Sequence, residues 1–262
     1  HQKWERARQA CKEAIEFCDA ELGGPGERSL YTVNDYIAPS KMTAETRLLN
    51  ALNKVMTEKW NKELIWGDSR NDIQGFERNK LITINQTTFR TAGANSQHGP
   101  TLRTVENYYT KNGLPIDEDA TWDYNNRYKL TTIPEDHKSY AVVGEQTAYL
   151  HLNREPRFYH AVTYQGKSWH IQPSEGWSVN FSREGNNSQY IAGREHYTGY
   201  LLYKRNNQEM YNSGSYLKKH ARPSILLRLA DFYLYYAEVC NEINPNDPNI
   251  IKYLDMVRGR AG

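Results

Sequence analysis

The residues that could carry chemistry in this chain form no catalytic or metal-binding motif. The chain has 31 Asp and Glu residues and 8 His residues, but it contains no HExxH pair, no close histidine pair on one helical face and no G-x-S-x-G turn. Asp117, Glu118 and Asp119 form an acidic group that lacks the alternating acids and the glycine of a calcium-binding loop. We therefore predict no catalytic residue, no metal and no cofactor, and we expect this acidic group to lie in a solvated loop.

Aromatic residues are abundant for so polar a chain. There are 20 Tyr, 6 Trp and 6 Phe, which is 12% of the residues, although the mean hydropathy is −0.86. Trp4 and Trp60 fall on predicted helices, and we expect both in the core. Many of the other rings stand beside Asn, Gly or Ser in segments without a regular period. A core of this polarity does not need so many rings, so these loops are candidates for ligand binding.

The candidate ligand-binding residues come from those loops. Trp122 is followed closely by three polar residues, Asp123, Asn125 and Asn126, and Trp177 has Asn180 nearby. Packing within the protein remains the alternative for each ring. The predicted ligand-binding residues are Trp122, Trp177, Trp66, Trp169, Tyr108, Tyr109, Asn125 and Asn180.

Charge and hydropathy exclude some functional classes. Lys and Arg number 33 against 31 acids, a formal charge of +2, and no run of one sign indicates a nucleic-acid partner. No segment reaches the roughly 18 to 20 apolar residues of a membrane span. The three cysteines, Cys11, Cys18 and Cys240, lie on helical apolar stripes, and we expect buried free thiols there. Because amphipathic patterns reach both ends, we expect neither end to be a natural terminus and targeting information to lie outside this chain.

Apolar residues recur every three or four positions in four segments, which predicts four helices. The first runs from Trp4 to Leu22, where Gly23-Gly24-Pro25 ends it. The second follows Thr43, a plausible N-cap, and loses its period near Glu63. The last two form a helical hairpin, with one helix from about residue 225 to 243 after Pro223-Ser224 and another after Asp247-Pro248.

Between the helices the chain reads as long ordered loops with short elements. Residues 66 to 150 show no sustained period and are dense in Gly, Asn, Asp, Thr and Tyr. Strand formers at 157–164 and 167–171, separated by Gln165-Gly166, predict a β-hairpin. We predict one domain over 1–262, with a helical scaffold part at 1–62, a loop-rich ligand-binding part at 63–220 and a helical hairpin of the scaffold at 221–262.

Several segments of the chain resemble the SusD/RagB family. The most specific are the two that form the predicted helical hairpin, and three others follow in the order that the family would place them. The segments are Arg222–Val239, Tyr253–Gly262, Asn112–Ile116, Asn153–Tyr159 with its following Trp169, and Thr198–Tyr200 leading to Lys204. The likeness is sharp from about residue 112 onward, and family members are normally much longer on the N-terminal side.

This resemblance implies a mainly α fold, with a tetratricopeptide-like helical scaffold, long irregular loops and a few short β-hairpins, although no clean repeat of about 34 residues is found. It also implies a surface-exposed lipoprotein of the Bacteroidetes outer membrane, held by an N-terminal lipid anchor that this chain lacks. Such a protein binds glycan through its loops and passes it to a SusC-like TonB-dependent transporter. Aromatic rings beside amides suit this task, since sugar rings pack their C–H faces on flat side chains.

Two other functions stay open. A glycoside hydrolase would need two carboxylates roughly 5 to 9.5 Å apart across the scissile bond, and no pattern in the sequence singles out such a pair. A tetratricopeptide-like scaffold could instead bind a peptide or a protein in a helical groove. Exposed rings on the loops would favour a glycan, whereas exposed rings along the helices would favour a protein partner. We predict a glycan-binding protein that is not an enzyme.

Overall fold

The computed structural model describes residues 2–21, 30–38, 42–69, 96–169, 178–182, 185, 197–206 and 223–262. The chain divides into two compact units. Unit 1 comprises His1–Ser40, Asn50–Asn71 and Arg222–Gly262, and unit 2 comprises Lys41–Leu49 and Asp72–Ala221.

Helices dominate the described residues, and the strands are short. The helices are α1 (Gln2–Glu21), α2 (Ala44–Thr57), α3 (Leu102–Glu106), α4 (Pro156–Ala161), α5 (Leu229–Ile243) and α6 (Pro248–Ala261). The strands are β1 (Leu64–Asp68), β2 (Leu130–Thr132), β3 (Gln146–Ala148), β4 (Val162–Thr163), β5 (Leu201–Leu202) and β6 (Ser224–Arg228). Single 3-10 turns span Tyr124–Asn126, Glu135–His137 and Tyr149–His151. The strands pair antiparallel as β1 with β6, β2 with β3 and β4 with β5.

Three helices of unit 1, α1, α5 and α6, pack together. Helix α5 packs against both α1 and α6, and Tyr233 and Cys240 of α5 lie fully buried in the core that results. The expected buried thiol is confirmed for Cys240, whereas Cys11 and Cys18 are half-buried at the edge of the same core. The apolar period that predicted these helices therefore marks the faces that pack together.

The predicted helical hairpin is confirmed, but its first helix begins later than expected. Residues Ser224–Arg228 form β6, whose partner is β1, with Leu64 opposite Arg228. The cross-strand pairing takes up backbone groups that an earlier helix start would have used. Asp247 caps α6 as predicted, because its Oδ1 accepts the N–H of Asn249 at 2.9 Å.

The expectation that Trp4 and Trp60 are core residues is wrong. Helix α2 begins after Thr43, whose hydroxyl accepts the N–H of Thr46 at 3.2 Å as an N-cap does. It ends at Thr57, where the side chain of Asn61 donates to the carbonyl of Val55 at 3.0 Å. Trp60 therefore lies beyond the helix with φ +56°, and its side chain is 57% exposed. Trp4 lies on α1 but is 41% exposed.

The predicted β-hairpin at 157–171 is wrong over its first half. Pro156, at the first position of α4, starts a helical turn that ends at Ala161, and β4 pairs with β5 rather than with residues 167–169. The rings of Phe158 and Tyr159 are buried in the core of unit 2, so packing outweighs their preference for strands. Gly166 does turn the chain, with φ +85°.

Candidate functional site

The segment Asn112-Gly113-Leu114-Pro115 forms a tight turn at the surface of unit 2. Thr110 donates its N–H to the carbonyl of Leu114 at 2.8 Å, and Gly113 donates to the carbonyl of Thr110 at 3.0 Å. Gly113 has φ +75°, a left-handed conformation that glycine adopts without steric penalty. The turn brings Thr110 and Asn112 together above the chain that follows.

Asp119 is the hub of the hydrogen bonds beneath this turn. Its Oδ2 accepts the Thr110 hydroxyl at 2.6 Å and the Asn112 side-chain amide at 2.9 Å. Its Oδ1 accepts the N–H and the hydroxyl of Thr121 at 2.9 and 2.7 Å. The side-chain bonds from Thr110, Thr121 and Asn112 hold the pKa of this carboxyl well below its usual range. Asp119 is therefore a permanent acceptor that fixes three neighbouring side chains.

This network orients the Asn112 amide. Its Nδ2 donates to Asp119 at 2.9 Å and to the hydroxyl of Thr121 at 3.1 Å. Both bonds engage the amide nitrogen, and among the described residues no hydrogen bond engages the amide oxygen, Oδ1. That oxygen is a positioned acceptor for a hydroxyl or an N–H group of a ligand.

Trp122 and Tyr149 supply the aromatic part of the same site. The indole Nε1 of Trp122 donates to the carbonyl of Leu152 at 3.1 Å, which fixes the ring. The ring centroids of Trp122 and Tyr149 lie 5.2 Å apart at an angle of 44°. Trp122 is only 5% exposed and Tyr149 is half-buried, so the two rings form a firm apolar wall.

Together these residues line a pocket of about 200 Å³ that is open to solvent on one side. The volume lies below the roughly 300 Å³ at which pockets for drug-sized ligands begin. The described lining residues are Thr110, Lys111, Asn112, Asp119, Thr121, Trp122, Tyr149 and Asn153. The pocket thus combines two rings with an ammonium group, two amides and a hydrogen-bonded carboxylate.

Two hydrogen bonds of its backbone fix the position of Asn153 in the pocket. Its N–H donates to Nε2 of His137 at 3.0 Å, and its carbonyl accepts the N–H of Lys111 at 2.9 Å. Asn153 has φ +55°, a left-handed conformation that asparagine tolerates better than most residues. Since Nε2 of His137 accepts this bond, its Nδ1 carries the proton that is shared with Asp136 at 2.7 Å.

The buried side chain of Arg154 stabilises the backbone around the site. The guanidinium of Arg154 donates to the backbone carbonyls of five residues, Leu150, Val105, Glu106, Tyr108 and Tyr109. Burial lowers the pKa of Arg154 to about 10. Arg154 therefore connects the turn that follows α3 to the segment that carries Asn153, its neighbour in the sequence.

The arrangement suits binding rather than acid or base chemistry. Asp119 is the only acid among the described residues that line the pocket, and its low pKa means that it has no proton to donate near neutral pH. Glycoside hydrolysis by the usual route needs a second carboxylate as partner. Across the ranges described above, His, Cys, Asp and Glu form no group of three or more that could hold a metal ion.

Among the predicted ligand-binding residues that the structure describes, only Trp122 lines the pocket. Asn125 is exposed in the 3-10 turn that follows it. Tyr109, just before the turn, is 37% exposed, and Tyr108 is half-buried with its ring edge on Phe158.

The other predicted residues lie elsewhere. Trp169 is 2% exposed and packs edge-on against Tyr203, 5.0 Å between centroids. Asn180 closes a local turn by accepting the N–H of Ser182 at 3.0 Å. Trp66 belongs to unit 1 and is 61% exposed, and Trp177 lies outside the described residues.

Sequence reasoning missed most of the polar half of the pocket. Asp119 was expected in a solvated loop, but its side chain is buried with a relative exposure of 5%. The available signal was the Asn112-Gly113 pair, which is typical of a tight turn and places Asn112 beside the acid. Asp117 and Glu118 are exposed, as expected.

None of the helices that the structure describes combines the length and the apolar character needed to cross a lipid bilayer.

Comparisons with known proteins identify the family. The solved structure of BT4246 is 26% identical in sequence, with a TM-score of 0.74; the match covers 100% of this chain and 45% of that one. A SusD-like protein, BF3747, from Bacteroides fragilis NCTC 9343 shares the fold at 18% identity and a TM-score of 0.57, over 98% of this chain and 44% of that one. The chain thus spans about half the length of these proteins.

A comparison with curated protein sequences gave no match. The model of the SusD family matches residues 62–262, which include the turn at Asn112, the pocket and the helical hairpin. The predicted mainly α, SusD-like fold is confirmed. The chain belongs to the SusD family.

Proposed function

We propose that this protein binds an oligosaccharide without cleaving it, and that the pocket beside Trp122 is a ligand site. The observation that carries the proposal is the Asn112 amide, whose nitrogen donates to Asp119 and Thr121 while its oxygen keeps its capacity to accept. A sugar offers hydroxyl groups to such an acceptor and an apolar C–H face to the rings of Trp122 and Tyr149.

Membership of the SusD family supports the choice of a glycan. As the resemblance implied, the loop-rich part of the chain rather than the helices carries the proposed site. The affinity should be modest, because a shallow polar site exchanges hydrogen bonds with water for hydrogen bonds with protein at small net gain.

The proposed function is capture, with no chemical step. Among the described residues the pocket offers one carboxylate, already engaged in four hydrogen bonds, where hydrolysis would call for an acid and a nucleophile or base. Delivery of the glycan to a SusC-like TonB-dependent transporter and a surface location on the outer membrane complete the proposal, with family membership as their support. Antibody labelling of a tagged copy on intact cells tests the location.

The first experiment screens plant, host and microbial polysaccharides by affinity electrophoresis and calorimetry with the full-length protein. Asn112→Ala and Tyr149→Ala remove the positioned acceptor and the more accessible ring. Tyr235→Ala, at a 47% exposed ring on α5 of unit 1, is the matched control. One class of glycan should bind the wild type and the control and bind both pocket variants at least tenfold more weakly.

A folded protein that binds no glycan would overturn the proposal and favour a peptide or protein ligand. Exposed rings on the helices are the observation that favours this alternative: Trp4, Phe17 and Tyr235 are 41%, 67% and 47% exposed. Binding that survives in both pocket variants but fails in Tyr235→Ala would move the site to the helical unit.

A further inference from the structure

A second aromatic surface is formed by residues that follow Trp122 of the pocket in the sequence. The guanidinium carbon of Arg127 lies 3.9 Å from the ring centroid of Tyr124 and 4.3 Å from that of Tyr128. The two rings are 36% and 52% exposed. We call Tyr124, Arg127 and Tyr128 the aromatic platform.

The aromatic platform is held rigidly. Glu106 accepts Nε of Arg127 at 2.8 Å and the hydroxyl of Tyr128 at 2.5 Å, and Nη1 of Arg127 donates to the carbonyl of Tyr124 at 2.9 Å. The side chains are thus ordered before any ligand arrives, which lowers the entropy lost on binding. The ring area that stays exposed is therefore a preorganised surface.

Backbone contacts join the platform to the wall of the pocket. Tyr124 donates its N–H to the carbonyl of Trp122 at 2.9 Å. In the 3-10 turn Tyr149–His151, Leu150 donates its N–H to the carbonyl of Arg127 at 2.7 Å, and Tyr149 donates its N–H to the carbonyl of Lys129 at 3.0 Å. The residues that carry the pocket rings therefore also hold the platform, and the two surfaces form one rigid part of unit 2.

The geometry points to the aromatic platform as a second subsite, which binds a further sugar unit of the same oligosaccharide that enters the pocket. This inference rests on the proposed function. The pocket, at about 200 Å³, is too small for a whole oligosaccharide, so the remaining sugar units of the ligand must lie outside it. The exposed rings of Tyr124 and Tyr128 offer apolar area to that part of the ligand.

The charge of the platform favours a neutral sugar. Arg127 forms an ion pair with Glu106, and its guanidinium is covered by the two rings. An acidic sugar would have to compete with the Glu106 carboxylate for the same cation. The ligand class is therefore a neutral oligosaccharide of two or more units, whose C–H faces stack on tyrosine.

The test is a calorimetric series with one glycan that the screen identifies, in fragments of one to six sugar units, on the full-length protein. Tyr128→Ala should leave the affinity for the single sugar unchanged and weaken the longer fragments by about three- to tenfold. Tyr128→Phe, which keeps the ring, should restore most of that affinity. Tyr149→Ala should weaken every length.

The outcomes separate the two proposals. If Asn112→Ala abolishes binding while Tyr128→Ala binds every fragment as the wild type does, the second subsite is overturned and the pocket stands. Equal weakening at all lengths in Tyr128→Ala would also overturn it, because the ring would then act on the pocket itself. If no fragment or polymer binds the folded wild type, both proposals fail.

Discussion

Asp119 accepts a hydrogen bond from the side-chain amide of Asn112 at 2.9 Å, although the two residues are seven positions apart in the sequence. This contact joins one segment of the family resemblance, Asn112–Ile116, to an acid that the sequence led us to expect in a solvated loop. The same carboxylate accepts two bonds from Thr121, one residue before Trp122. One carboxylate thus holds the polar side of the pocket next to its aromatic wall.

Replacing Asp119 by asparagine should weaken glycan binding at least tenfold. The new amide presents two donors and one acceptor where the wild type accepts four hydrogen bonds, so some of the side chains of Thr110, Asn112 and Thr121 must move. Glu118→Gln is the matched control, since Glu118 is the exposed acid beside it. Calorimetry with the same glycan measures both. Equal affinity in Asp119→Asn would show that Asn112 does not need this orientation.

The stability of the protein should rise with pH between 7 and 9. Burial lowers the pKa of Lys167 to about 7 from its ordinary 10.5. In this window the unfolded chain binds more protons than the folded one, so the free energy of unfolding increases as pH rises, by about 2 kcal/mol from this group. The raised pKa values of Tyr159 and Tyr164 act only near pH 10 and above.

Lys167→Met tests this origin. The variant removes the titrating group but also two hydrogen bonds to the carbonyls of Tyr159 and Val162, so its stability at one pH is not diagnostic. The change of its stability with pH is diagnostic. Thermal unfolding followed by tryptophan fluorescence should show a nearly flat profile from pH 7 to 9 for Lys167→Met and the wild-type slope for the exposed control Lys129→Met. A wild-type slope in Lys167→Met would assign the effect to other groups.

The sequence predicted the elements whose signals are local. The apolar period and the Asp247-Pro248 start found α1, α5 and α6, because helix faces and caps depend on neighbouring residues. It failed at 157–161, where the strand-forming rings of Phe158 and Tyr159 lie in a buried helical turn. Asp119 could not be recognised either, since Thr110, Asn112 and Thr121 converge on it only after the turn has formed. Trp122 was predicted because its neighbours were polar, and it lines the pocket.

Arg154→Lys should destabilise unit 2 by about 3 kcal/mol or more. A lysine has three donors on one atom, whereas the guanidinium of Arg154 reaches five carbonyls in a fixed plane. Several buried carbonyls would lose their partner, at about 1 to 3 kcal/mol each. Denaturant unfolding measures the change, with Arg157→Lys, at an exposed arginine on α4, as the control. A loss below about 1 kcal/mol would mean that water replaces the missing donors.

In unit 1, the ion pair between Glu63 and Arg260 supports a similar prediction about stability. Glu63 is fully buried, and its Oε2 accepts Nη1 of Arg260 at 2.5 Å and the N–H of Tyr31 at 3.1 Å. Arg228 lies 3.7 Å from the other oxygen. Glu63→Gln leaves the largely buried guanidinium of Arg260 without a carboxylate and leaves Arg228 with Asp231 alone, and the free energy of unfolding should fall by about 3 to 5 kcal/mol.

Glu58→Gln is the control for that prediction, because the exposed Glu58 accepts the hydroxyl of the same tyrosine, Tyr31, at 2.8 Å. It should lower stability by less than about 1 kcal/mol, since water can replace a partly exposed hydrogen bond. Glycan affinity should be unchanged in both variants while they are folded, as the pocket belongs to unit 2. If Glu63→Gln is as stable as Glu58→Gln, the two arginines must reach solvent, and the buried pair is not what holds β1, β6 and α6 together.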